Sequence, residues 1–312
     1  MRPIHTHVFE NVISKPRLNS YRGYFATKDI DEAIGLYMWN CELSACFSML
    51  LSFFEIALRN NIHYGMSQYY SQGQSNSIHW YDRIWGTLKP ETKSKIDNTR
   101  HEGYGNRRRL LNQQPNPDEI VSRVTFGFWV SILGSIDRRY ANQILPNVFP
   151  FHSLNAHPND WNDQNIKTNA LKFIYELNHF RNRIAHHEPL WKFSAIKDTP
   201  HNRPPTIIEP ASNSLNDSLA RFQRLLSLLD EAMKAMNPDF HVDMMQSSWR
   251  RKLDYLLSEQ GISRYKNLKH CPDINQHPLT PIQFRKKFKL IMKKNKPIQV
   301  GYSNMKGLFI PE

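Results

Sequence analysis

Between Asp29 and His63 the chain has no proline and one glycine, Gly35. Leu36, Trp39, Leu43, Phe47, Leu50 and Phe54 recur there at spacings of three and four, the period of one helix face. Asp29 suits an N-cap, and Asp31 and Glu32 suit a first turn, where free N–H groups favour acids. The pattern predicts one long buried helix, or two with a bend. Its most apolar part, Ala45 to Leu58, contains Glu55 and is too short to span a bilayer. A helix this apolar needs partners of its own kind, and the chain supplies them. Helical patterns follow around Glu91 to Arg100, from Asp118 to Ile132 or Tyr140, from Asn165 to His187, and from Asn213 to Met236, which Pro238 closes. Residues 71–79, 112–117, 146–163 and 194–210 read as loops, and residues 1–27 give no clear element. With no strand-rich region, internal repeat or glycine-rich phosphate loop, the expected class is all-α, a helical bundle.

The formal charge is +13 and the sequence pI about 9.6. That balance favours a polyanionic partner, and the aromatic content makes nucleic acid a better fit than an anionic membrane. Residues 237–312 hold 14 Lys and Arg against 6 Asp and Glu, so they form a basic, partly helical C-terminal extension to a helical domain of residues 1–236. Arg250, Arg251, Arg285, Lys286 and Lys287 there lie among aromatic residues, and Lys293 to Lys296 continue the run; such mixtures suit a nucleic-acid backbone with stacking. The densest arginine run, Arg107, Arg108 and Arg109, is a second candidate for phosphate contact. The three cysteines, Cys41, Cys46 and Cys271, make no C-x-x-C pair, which argues against a disulfide framework and fits a reducing cytoplasm. No signal peptide is evident at Met1 to His5.

The richest concentration of chemically capable side chains is Arg181-Asn182-Arg183-Ile184-Ala185-His186-His187-Glu188, closed by Pro189. Phe173, Leu177, Phe180 and Ile184 should make a core seam, with Tyr175, His179, Asn182 and His186 on the opposite side. Histidine can act as general acid or base near neutral pH, and arginine binds phosphate with a forked donor set. Together they suffice for RNA cleavage without metal: the ribose 2′-OH loses a proton and attacks the adjacent phosphate, and a cation stabilises the developing charge. His186 would be the base or acid, Arg181 the stabiliser and Asn182 an orienting group. Five residues span about 140° of helix, so Arg181 and His186 diverge, and a site shared between two subunits would relieve this. His186 and His187 could instead simply cap a helix C-terminus. A metal site using His179, His186 and Glu188 is a further alternative, but no H-E-x-x-H is present, so no metal or other cofactor is expected. Glu55 and Arg59, four apart, can pair; with His179 and His187 they are candidates to support the site.

Four stretches resemble the Abi-like (AbiD/AbiF-type) abortive-infection proteins of bacteria, in the HEPN superfamily. They are Tyr24 to Thr27 leading to Leu36 to Asn40, then Phe54 to Asn60, Thr125 to Trp129, and Leu177 to Trp191. The last carries the R-x4-6-H signature with a polar residue after the arginine. The resemblance covers about residues 20–236. It implies a HEPN-like helical bundle, a homodimer with a composite site, and metal-independent endoribonuclease activity with Arg181 and His186 catalytic. It further implies phage defence by growth arrest or the toxin half of a toxin–antitoxin pair, with RNA as substrate or cognate regulator and an antitoxin as a further partner. A non-catalytic RNA-binding protein is the alternative, and a helical protein–protein adaptor the third reading.

Overall fold

The computed structural model describes residues 6–103, 105–198, 204–267, 281–294, 298–302 and 305–309. Helix dominates the described residues and strand is sparse, so the fold is all-α as expected. The helices are α1 (Thr6–Ile13), α2 (Lys15–Phe25), α3 (Ile30–Tyr70), α4 (Trp80–Arg83), α5 (Pro90–Arg100), α6 (Pro117–Arg123) and α7 (Phe126–Ser135). They continue with α8 (Ala141–Val148), α9 (Gln164–Ala185), α10 (Leu215–Met236), α11 (Pro238–Gln246), α12 (Ser248–Leu256), α13 (Glu259–Lys266) and α14 (Pro281–Lys294). Three short antiparallel pairs decorate them: β1 (His101–Glu102) with β2 (Arg109–Leu110), β3 (Ile196–Asp198) with β4 (Thr206–Glu209), and β5 (Ile298–Tyr302) with β6 (Met305–Phe309).

The long helix is a single element of 41 residues. Asp29 caps it by accepting from the Glu32 N–H at 2.9 Å. By length and composition α3 could cross a membrane, a property it shares with core helices of globular proteins. Leu36, Trp39, Leu43, Phe47, Leu50, Phe54, Leu58, Ile62 and Met66 along it are all buried.

Elsewhere local chemistry redraws the expected boundaries. The apolar stripe after Asp118 is two helices. Asn116 rather than Asp118 caps the first, in a capping box with Glu119 (2.8 and 3.0 Å). Extended backbone at Val124 and Thr125 then ends it and starts α7. The predicted loop at 194–210 contains the β3–β4 pair, the predicted loop at 146–163 contains 3-10 turns, and α1 and α2 fill the uncommitted N-terminus. Cys271 and Lys296 lie outside the described residues.

Two compact units divide the chain, with boundaries inside α3, α9, α10 and α11. The first comprises residues 1–50, 183–224 and 243–312. Its core stacks aromatic rings: Trp191 meets Tyr21 at 5.1 Å, Tyr24 at 4.3 Å and Phe25 at 5.2 Å between ring centres. Phe222 takes Phe47 at 5.7 Å, and the Trp39 indole donates to the Leu256 carbonyl at 2.8 Å. That bond, with the Lys252–Glu42 ion pair, fastens α12 to α3 within the unit.

The second unit comprises residues 51–182 and 225–242. Trp80, Tyr81, Trp129 and Trp161 are wholly buried in it, and Phe54 packs on Phe126 with ring centres 5.8 Å apart. On α7, Gly127 and Gly134 both face α9. A Cβ at Gly134 would stand 2.9 Å from the Tyr175 hydroxyl, and one at Gly127 would stand 4.0 Å from Asn178 Oδ1. Close approach accounts for Gly134 but not for Gly127, where a Cβ would meet only ordinary van der Waals contacts and which stands at the start of α7 rather than mid-helix.

Candidate active site on helix α9

The faces of α9 follow the predicted pattern in most places. Leu177 and Phe180 are buried, and Tyr175, His179 and His186 are exposed, with Asn182 half-buried. Phe173 and Ile184 are only half-buried; Leu171, Ile174 and Lys167 complete the buried side. The buried lysine is satisfied, donating to the Ile136 carbonyl at 2.7 Å.

The helix ends in a two-bond turn. The Glu188 N–H reaches back to the Arg183 carbonyl and the His187 N–H to that of Ile184, both at 3.0 Å. This is the Schellman arrangement, with His187 in the left-handed position (φ 54°) that glycine usually takes. Histidine is among the residues that enter this region more readily than most. His186 is therefore the C-cap residue, at the point where the backbone leaves the helix.

Arg183 secures the chain beyond this turn, in the first unit. Its Nη2 donates to the carbonyls of Pro189 (2.6 Å), Leu190 (3.3 Å) and Lys192 (2.9 Å). Its Nε donates to Glu188 at 3.2 Å, and the guanidinium stands 5.2 Å from the Phe193 ring centre. Burial works against its charge, and the Glu188 carboxylate offsets this only in part. Asn40 of α3 grips the same segment: its Oδ1 accepts from the Leu190 N–H at 2.8 Å and its amide reaches the Glu188 carbonyl at 3.5 Å. Sequence reasoning gave neither residue a role. The signal was available only in outline, as both lie in the stretches that carry the family resemblance.

Arg181 has different surroundings, in the second unit. Its Nε lies 3.8 Å from Glu55 Oε2, beyond hydrogen-bond distance, and its side chain is 38% exposed. Burial pushes the Glu55 carboxyl up; Arg181, then Arg59, then the Phe126 N–H at the start of α7 pull it back. The Glu55–Arg59 pairing expected from spacing is thus a longer-range attraction, while Arg59 Nε donates to Asn60 at 3.3 Å. The start of α7 brings further polar groups together, because a Cβ on Gly127 would stand 3.6 Å from Lys95 Nζ. The Glu55 carboxylate thus already takes the first N–H of α7, with Arg181 beside it and Lys95 near Gly127.

The other candidates fall into three groups. Arg107, Arg108 and Arg109 are exposed; Arg109 pairs with Glu102 at 2.9 Å and Arg108 donates to Asn98 at 3.2 Å. On α12, Arg250 pairs with Asp254 at 3.1 Å with little exposure, and Arg251 is half-buried. Arg285, Lys286 and Lys287 on α14 are exposed. Among the described residues no three His, Cys, Asp or Glu side chains are grouped to hold a metal ion.

The model of one protein family, described as Abi-like protein, matches residues 7–192 of this chain, and neither a curated protein nor a solved structure matches it. The match spans more than half of the chain, which therefore belongs to the Abi-like protein family.

Proposed function

We propose that this member of the Abi-like family is a metal-independent endoribonuclease of the HEPN type. Its role would be growth arrest in abortive infection or as the toxin of a toxin–antitoxin pair. The observation that carries the reading is the division of labour in Arg181-Asn182-Arg183: Arg183 is consumed by the helix exit, while Arg181 keeps a partly open guanidinium beside Glu55. His186 is exposed at the helix end, and Asn182 is half-buried four residues before it.

In the proposed reaction His186 removes the proton of a ribose 2′-OH, or delivers one to the departing oxygen. The 2′-oxygen bonds to the adjacent phosphorus and the bond to the 5′-oxygen breaks. The products are a 2′,3′-cyclic phosphate and a 5′-hydroxyl. Arg181 offers forked donors to the phosphoryl oxygens as their charge grows. Asn182 orients the imidazole or the phosphate. A homodimer that pools two such motifs would supply base and acid together, and an antitoxin would restrain it.

Bacterial expression of wild type, Arg181→Ala and His186→Ala tests the reading. The wild type should arrest growth and fragment RNA to cyclic-phosphate ends, unaffected by EDTA, and both variants should do neither. Equal growth and intact RNA in all three cultures would refute it. Salt-sensitive RNA affinity without cleavage would leave a non-catalytic RNA-binding protein instead.

A further inference from the structure

The far end of α3 carries a second candidate site, wholly within the second unit. Gly65 lets α8 cross α3 at close range: a Cβ there would stand 3.3 Å from Asn147 Cβ, the Ile144 carbonyl oxygen and Val148 Cγ2. The Asn61 amide fixes the crossing by donating to the Val148 carbonyl at 2.9 Å. Gln143 and Asn147, four apart on α8, come to line one cavity of ≈ 620 Å³ with Gln68, Tyr69, Tyr70 and Gln72. A neighbouring cavity of ≈ 570 Å³ shares Tyr70 and Gln72 and adds Arg83 and Asp82. Both volumes lie in the range of small-ligand sites.

The lining of the first cavity is unusual for a chain of charge +13, since it contains no Lys, Arg, Asp or Glu. It consists of two phenol rings and four side-chain amides. Carboxamides match the paired donors and acceptors on base edges, and tyrosine faces stack on bases of any kind. Tyr69 lies 4.9 Å from Tyr70 and 5.5 Å from the partly exposed Tyr140, between ring centres. Gln68 is held by Ser75 and Asn76, whereas Gln72 and Gln143 are exposed. In the second cavity Asp82 is already bound by two hydrogen bonds from Arg100, at 2.8 and 2.9 Å, and Arg83 is exposed.

We propose that this groove binds an unpaired nucleobase, presented by single-stranded RNA or by a free nucleotide. The first cavity takes the base and Arg83 meets the adjoining phosphate. For the RNA form the proposal rests on the RNA-directed reading above. Tyr69 follows Glu55 by fourteen residues, about 20 Å along α3, so a strand would be read at a distance from the cut.

The test uses the full-length protein and 2′-O-methyl octamers of each base, which cannot be cleaved, with the four nucleoside monophosphates in parallel. Binding is read by fluorescence anisotropy and by competition at one salt concentration. The wild type should favour one base. Tyr69→Ala should weaken that binding about tenfold, Tyr69→Phe should retain it, and the exposed Gln143→Ala should erase the preference between bases. Binding of octamers alone identifies RNA as the source, and binding of monophosphates as well identifies a nucleotide site. Equal binding of all four bases by the wild type, or unchanged binding by folded Tyr69→Ala and Gln143→Ala, overturns the proposal. Cleavage is scored separately on unmodified RNA with His186→Ala, so either reading can fail while the other stands.

Discussion

Arg183 and Arg181 stand two residues apart in one helix, and their surroundings differ in kind. Arg183 is enclosed by three backbone carbonyls, a carboxylate and a phenyl ring. Arg181 faces one half-buried carboxylate at a distance too long for a hydrogen bond. The enclosed guanidinium commits its Nε and Nη2 donors to the chain around it, so its contribution is to the fold. The open one makes no such commitment, and its contribution to the fold is small. Two identical side chains in one motif are thus separated by what the returning chain offers each of them.

Truncating Arg183 attacks the comparison most directly. Arg183→Ala leaves three carbonyls and Glu188 without their donor and should cost about 3 kcal/mol or more, seen as a large fall in the denaturation midpoint. A midpoint near wild type would mean that the enclosed arginine is not structural. Asn40→Ala removes one acceptor from the buried Leu190 N–H and should cost about 2 kcal/mol by the same measurement.

Acid should weaken the second unit by a smaller amount. Burial holds His63, His79 and His152 below the usual imidazole range, although Asp118 pulls His63 the other way. Their folded values lie below the unfolded one, so the folded state binds fewer protons. Stability is therefore complete above about pH 6.5 and is lost as the pH falls through the lowered values. Melts at pH 7.5 and 5.5 should show the drop, and His63→Gln should reduce it; a pH-independent midpoint contradicts this. The smallest effect on folding belongs to Arg181→Ala, under about 1 kcal/mol, because its pair with Glu55 is long and partly solvated. That variant should nevertheless lose RNA cleavage. A stability loss matching that of Arg183→Ala would erase the distinction between the two arginines.

The elements legible from sequence are those whose apolar period is long and whose ends carry punctuation. Helices α3, α9 and α10 meet both conditions, with Asp29, Pro189 and Pro238 as markers. The break at Val124 and Thr125 was hidden because apolar residues continue across it, and only the backbone turn divides them. In α9 the four–three–four seam included Phe173 and Ile184, which are half-buried, and missed Lys167, whose ammonium is buried on the Ile136 carbonyl. The site was legible as a motif and not as a set of contacts. Spacing within one helix suggested Arg59 for Glu55, but the nearer cation, Arg181, comes from a helix more than a hundred residues later. The grip of Asn40 on Leu190 crosses 150 positions and leaves no periodic trace.

The turn at His187 also sets how the motif tolerates change in length. Its two bonds fix the helix end relative to Arg183, and His186 is the last residue before the chain leaves. One residue inserted ahead of His186 would turn the imidazole by about 100° and advance it about 1.5 Å if the helix lengthened, or push it off the helix if the turn held. The interval between Arg181 and His186 is therefore counted from a backbone terminus, and a change in it acts through the stop signal as much as through the two side chains.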